Sequence, residues 1–182
     1  MNEDAVGFGL VGFGVSWEKI EPNAPRQDVH SYDWSALDEL MRATAESGRV
    51  LDLEILCRTN WGTMVPYQNM DEECCDMSPP KEDADSDLAA WGMTAYQAWS
   101  DFVFNLVERY DGDGVNDAPG VKQPVIKYLQ LGNEPEAPSH FIKYGGSPER
   151  YDRMLAVMYE SAKRANPQCL SRPGKVQSRS HL

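Results

Sequence analysis

Three times along the chain an apolar run is followed by a loop and then by an amphipathic helix. This alternation constrains the fold more than any other feature, because strands and helices spaced in this way build βα units around a parallel sheet. The first run is Phe8 to Val15, and after a loop Ser31 or Asp33 is placed to cap a helix carrying Leu37, Leu40, Met41 and Thr44 on one face, ended by Gly48. In the second run, Val50 to Cys57, Leu51, Leu53 and Ile55 alternate with Asp52 and Glu54, which is strand spacing. A long loop, Arg58 to about Leu88, leads to a helix from about Thr94 to Tyr110 with Tyr96, Trp99, Val103, Leu106, Val107 and Tyr110 as its stripe. The third run is Val125 to Leu131, and Ser147-Pro148 then caps a helix whose Tyr151, Met154, Leu155, Met158, Tyr159 and Ala162 recur at helical spacing.

After Leu170 the pattern is expected to stop. Ser171 to Leu182 reads SRPGKVQSRSHL, which is too polar to predict a further strand, so residues 169–182 are read as a tail that is disordered or not native to the fold. The formal charge of −12 repels phosphate backbones and argues against nucleic acid and anionic membrane as partners. No apolar run has the length of a membrane helix, and Met1-Asn2-Glu3-Asp4 lacks the basic start of a secretory signal. Cys57, Cys74, Cys75 and Cys169 contain no C-x-x-C pair and suggest no disulfide framework.

The segment Tyr128 to Glu136, YLQLGNEPE, carries the most chemical information. Strand parity places Leu129 and Leu131 under helices and Tyr128, Gln130, Gly132 and Glu134 on the opposite side. Glu134 then points inward at the carboxyl end of a strand, where βα folds build active sites, and sheltered surroundings suit a carboxyl group to proton donation. Pro135 stiffens the exit from the strand.

With these residues the chain resembles the glycoside hydrolases of clan A, retaining β/α-barrel enzymes, over residues 10 to 168. Gly14-Val15-Ser16-Trp17-Glu18-Lys19-Ile20-Glu21-Pro22 looks like the end of that family's second strand, and Tyr32-Asp33-Trp34 with Leu37-Asp38 like the start of the next helix. Val50 to Cys57 resembles the third strand and Gly132-Asn133-Glu134-Pro135 the end of the fourth. The β-xylosidase/α-iduronidase-like and cellulase-like members are equally similar. The resemblance implies a partial TIM (β/α) barrel over residues 8–168, about strands two to four with their helices. A complete barrel takes roughly 250 residues. It further implies acid/base catalysis by Glu134 on β-linked sugars, with Asn133 hydrogen-bonding the sugar 2-hydroxyl. No cofactor or metal is implied.

Retaining hydrolysis also needs a nucleophilic carboxylate about 5–5.5 Å from the acid. Nothing in the chain matches the family's nucleophile strand. Glu149 and Glu160 fall on the last helix, and Glu54 lies below the end of its strand. The expectation is therefore a truncated product or an incomplete reading frame, inactive alone. The competing reading is a non-catalytic carbohydrate-binding or relic fragment. Trp17 and Trp61 follow strands and are candidates for stacking on sugar rings, Trp61 the more so. His140, Phe141 and Tyr144 read as packing or surface, and Trp34, Trp91 and Trp99 as helix or core. An open arc is expected to present three parallel strands, an apolar lumen and two bare edges, and so to self-associate.

Other motifs carry less. Gly7-Phe8-Gly9-Leu10-Val11-Gly12 matches G-x-G-x-x-G, yet no strand precedes it and no helix follows it directly, so a dinucleotide site is not expected. Asp111, Asp113 and Asp117 resemble a calcium loop without its closing glutamate and read as a helix-ending turn. His30, His140 and His181 have no metal spacing to any cysteine.

Overall fold

The computed structural model describes residues 10–71, 76–82, 88 and 92–174, with the side chains of residues 10–13 excepted. The first part of the glycine string (Gly7 to Gly9), Cys74, Cys75, Trp91 and His181 lie outside the described residues. The elements are β1 (Leu10–Ser16), α1 (Trp17–Ile20), α2 (Ser35–Glu46), β2 (Val50–Leu56), α3 (Ala95–Glu108), β3 (Ile126–Leu131), α4 (Pro148–Ala165) and β4 (Leu170–Pro173). The strands form one sheet in the order β1-β2-β3-β4, and every neighbouring pair is parallel. Parallel neighbours joined through helices place all four carboxyl ends on the same side of the molecule.

β4 corrects the sequence reading, which expected three strands and a tail unable to supply another. Tyr128, Leu129, Gln130 and Leu131 pair with Leu170, Ser171, Arg172 and Pro173. A short edge strand is held by backbone hydrogen bonds, and these carry no hydrophobic signature. The proline sits at the last paired position, where a missing donor does least harm.

Along β2, Leu51, Leu53, Ile55 and then Cys57 have no solvent exposure and join Met41, Trp99, Phe102, Leu106, Met154 and Met158 from the helices in one core. This face corresponds to the alternation read from the sequence. Among the described residues the opposite face is mainly polar, with Leu56 and Leu170 as apolar members, in place of the expected apolar lumen. Register aligns Gly14, Glu54, Gln130 and Arg172 in one row and Asp52, Tyr128 and Leu170 in the row below. Arg172 reaches past β3 to form an ion pair with Asp52, which is 8% exposed. Removing the guanidinium strands this carboxylate. Arg172→Met is expected to cost about 2–3 kcal/mol, toward the lower end for broken buried pairs because Arg172 is itself partly exposed, as urea melts can show.

The helices form where their ends are capped. Thr94 and Gln97 make a reciprocal capping box at the start of α3, and Ser147 accepts from the Arg150 N–H with Pro148 in the first turn of α4. α2 begins one turn position later than read. Its N-cap is Trp34, and Asp33 instead takes the N–H and hydroxyl of Ser35. Gly48 follows α2 in a left-handed conformation, as read. Tyr159 departs from the α4 stripe and is 49% exposed. Cys57 and Cys169 are buried free thiols, and burial pushes both pKa values up, Cys169 to about 11. Among the described residues no helix is long and apolar enough to cross a membrane.

Candidate active site at the carboxyl end of the sheet

β3 ends at Leu131, and the chain then leaves the extended conformation at once. Gly132 takes φ +58 and Glu134 takes φ +47. The parity argument therefore stops at Leu131, and Glu134 is placed by a turn rather than by the pleat. A side chain at Gly132 would meet Sδ and Cε of the buried Met77 at 2.6 Å, so glycine answers both a backbone and a packing demand. Glu134 has no such excuse. A non-glycine residue in this region costs about 1–2 kcal/mol, and such strain gathers where a side chain is needed in one place. Glu134→Asn keeps the turn and suits its backbone, and is expected to raise stability by about 0.5–1 kcal/mol in chemical melts.

Asn133 and Glu134 are half-buried. A ladder of turns follows, in which the Ala137 N–H donates to the Glu134 carbonyl and the His140 N–H to the Ala137 carbonyl. His140, Phe141 and Tyr144 act largely as packing, as read. Phe141 is 1% exposed, the Tyr144 hydroxyl lies 3.2 Å from Asp76 Oδ2, and His140 Nδ1 lies 3.4 Å from Asp76 Oδ1. Met77, against Gly132, follows Asp76 directly. The loop after β2 and the loop after β3 therefore close together over the end of β3. Within the first of them Thr63 bridges Pro80, so the long loop is folded on itself.

Trp17 and Trp61 have different fates. Trp17 has no exposure and cannot stack on a sugar. α1 turns its ring under α3, where it lies 5.4 Å from Trp99 and 5.7 Å from Phe102. Trp61 is half-buried, edge-on to Trp17 at 4.9 Å, and its indole N–H donates to the Glu21 carbonyl at 3.0 Å. Trp99 is core, and Trp34 is partly buried against the core beside Phe102 and Tyr110, as read.

Sequence reasoning missed Glu18 and Glu21, which follow β1. Glu18 accepts from the backbone N–H of Asn60 at 2.7 Å and from its side-chain amide at 2.6 Å, tying β1 to the loop that bears Trp61. Burial raises its pKa above the usual carboxylate range, against the lowering pull of Asn60 and Lys19. Glu21 has no exposure, and its carboxylate takes the Trp17 indole N–H and faces His30. The W-x-x-I-E-P segment held both glutamates in plain sight, but nothing in their spacing distinguishes a buried brace from a surface charge.

The glycine string fails as a cradle, since Leu10 to Gly12 lie within β1 and open no helix. Asp111, Asp113 and Asp117 bring carboxylate oxygens within 4.8 Å of one another, but these are spent on the turn. Asp117 accepts from the Gly112 and Gly114 N–H groups, Asp111 from Asp113 N and Asp113 from Val115 N. This is the helix-ending turn read from the sequence.

No protein-family model matches the chain, and no curated protein matches it. Among solved structures, a glucosidase from Croceicoccus marinus is similar at a TM-score of 0.58 and 18% identity, over 92% of this chain and 31% of that one. A family 39 glycoside hydrolase from the gut symbiont Bacteroides cellulosilyticus WH2 aligns at a TM-score of 0.49 and 16% identity, over 92% of this chain and 26% of that one. The chain thus spans less than a third of the length of either relative. At such identity the likeness to the glucosidase is one of fold: four parallel strands with their helices make part of an α/β barrel of the kind glycosidases build.

Proposed function

We propose that this arc carries the acid/base end of a retaining glycoside hydrolase site for β-linked sugars. Glu134 is its proton donor and acceptor, Asn133 binds the sugar 2-hydroxyl, and Trp61 is its stacking face. The observation that carries this reading is Glu134 itself, held in a left-handed turn at the carboxyl end of β3, inside a barrel arc of glycosidase type. In that chemistry Glu134 protonates the glycosidic oxygen as the bond to the leaving group breaks. A second carboxylate on the other face of the sugar then meets the developing positive charge.

The second carboxylate decides how far the reaction runs. Glu18 is engaged by Asn60, Asp52 by Arg172, and Glu54 lies mid-strand, level with Gly14 and Gln130. The 182-residue chain is accordingly expected to give no turnover of aryl β-xylosides or β-glucosides, alike for wild type and Glu134→Gln. Robust hydrolysis abolished in Glu134→Gln would overturn the inactivity and point to a nucleophile elsewhere in the chain. The same engagement of Glu18 and Asp52 favours a second reading, an arc that binds carbohydrate without cleaving it. Xylobiose binding by calorimetry, with no hydrolysis, distinguishes it. The outer edges of β1 and β4 have no strand partner among the described residues, and bare edges of this kind lead us to expect dimers or larger species in sedimentation velocity.

A further inference from the structure

Four rings and two acids meet beside β1. Glu21 follows α1 with no exposure. Its Oε2 accepts the Trp17 indole N–H at 2.9 Å, its Oε1 lies 2.6 Å from His30 Nδ1, and its carbonyl accepts the Trp61 indole N–H at 3.0 Å. The other ring nitrogen of His30, Nε2, lies 3.5 Å from Asp101 Oδ2 on α3. The imidazole is stacked on Tyr32, with centroids 5.2 Å apart.

A carboxylate oxygen thus faces each nitrogen of one ring. A neutral imidazole carries one N–H and would turn a lone pair toward one of the two acids, whereas an imidazolium donates to Glu21 and holds its second N–H within ion-pair distance of Asp101. A fully buried carboxylate also calls for a compensating cation, and His30 is in contact with Glu21.

We propose that Glu21, His30 and Asp101 form a charged strap that positions Trp61, with His30 held as an imidazolium between two carboxylates. Glu21 is the positioning residue, and His30 locks it to α3. That Trp61 serves a sugar rests on the function proposed above; the strap itself does not.

The groups facing His30 are Glu21 after α1, Asp101 from α3 and Tyr32 from its own segment, while Asp28 and Arg164 border the same cavity as Asp101. Burial pulls the imidazole pKa down, but the hydrogen bonds and charges of Asp101 and Glu21 outweigh it and push it from 6.5 up to about 9. With the folded value above the unfolded one, His30 keeps its charge in the folded chain until pH rises through about 9, and the strap's contribution to stability is whole below about pH 6.5 and lost as pH rises through about 9.

The test uses nitrogen-labelled full-length chain, with the Trp61 indole signal assigned through Trp61→Phe. Both His30 ring nitrogens are expected at imidazolium shifts at about pH 7, titrating together near 9, with the Trp61 indole signal following the same midpoint. In His30→Gln the Trp61 indole proton is expected to exchange with deuterium about tenfold faster. Asp101→Asn leaves the Glu21 contact in place and, Asp101 being partly exposed, preserves the fold; it is expected to lower the midpoint by about one pH unit. A neutral tautomer of His30 at about pH 7 overturns the proposal, as does an unchanged Trp61 exchange rate in folded His30→Gln. If His30→Gln does not fold, the Asp101→Asn midpoint decides, and no shift overturns it. Titration with xylobiose and cellobiose is read separately: no binding at any pH with the histidine signals as expected rejects the sugar site and leaves the strap standing.

Discussion

Replacing Trp17 with alanine is expected to cost about 4–5 kcal/mol and to leave the chain largely unfolded at room temperature. The indole has no exposure and sits where three other rings converge, 4.9 Å from Trp61, 5.4 Å from Trp99 and 5.7 Å from Phe102. Truncation opens a cavity there, and surrounding helices close such cavities only in part. It also removes the indole N–H from Glu21, and a buried carboxylate deprived of a donor adds about 1–3 kcal/mol. Trp17→Phe separates the two costs. It keeps much of the ring volume and loses the donor, so its urea midpoint is expected between those of wild type and Trp17→Ala. A Trp17→Ala protein that melts like wild type would return Trp17 to the solvent-facing role that its position after a strand suggests.

Trp17 also illustrates what a sequence conveys and what it withholds. Periodicity reports the face of an element, and the stripe it assigned to the third helix (Tyr96, Trp99, Val103, Leu106 and Val107 in α3, and Tyr110 just past its end) is buried throughout. While β1 was read as an apolar, glycine-rich run, the same logic placed β2 and β3, each of which buries one side in the core. It could not place Trp17, which belongs to a four-residue helix too short to have a period, nor β4, whose pairing is made by backbone groups that every residue possesses. The motif put Glu134 at the carboxyl end of a strand, where it lies, but parity does not place it. Gly132 ends the pleat, and a left-handed turn carries the carboxylate from there. Glu21 and His30 were legible as residues and invisible as a pair, since nine positions of irregular chain separate them and only folding sets both ring nitrogens against acids.

Gly112→Ala is expected to be nearly as damaging as the loss of Trp17, at about 3–4 kcal/mol, and its neighbour Gly114→Ala much less so, at about 1–2 kcal/mol. Both glycines have positive φ, +72 and +94, so both substitutions force an L-residue into a left-handed region. They differ in what surrounds them. A Cβ at Gly112 would fall 2.2 Å from the backbone nitrogen of Gln123 and 2.4 Å from its Cα, whereas at Gly114 nothing lies within 4 Å. A side chain can rotate away from such a contact. The Gln123 backbone cannot do so without moving the chain that leads into β3, where Val125 donates to the Tyr110 carbonyl and Leu51 to that of Val125. The difference between the two variants, read from paired urea melts, isolates the close approach of two backbones from the cost of the dihedral angle. Equal losses would mean that residues 111–117 yield independently of β3. Unequal losses in the expected order mean that this acidic turn is the brace that seats β3, and with it the strand end from which Glu134 projects.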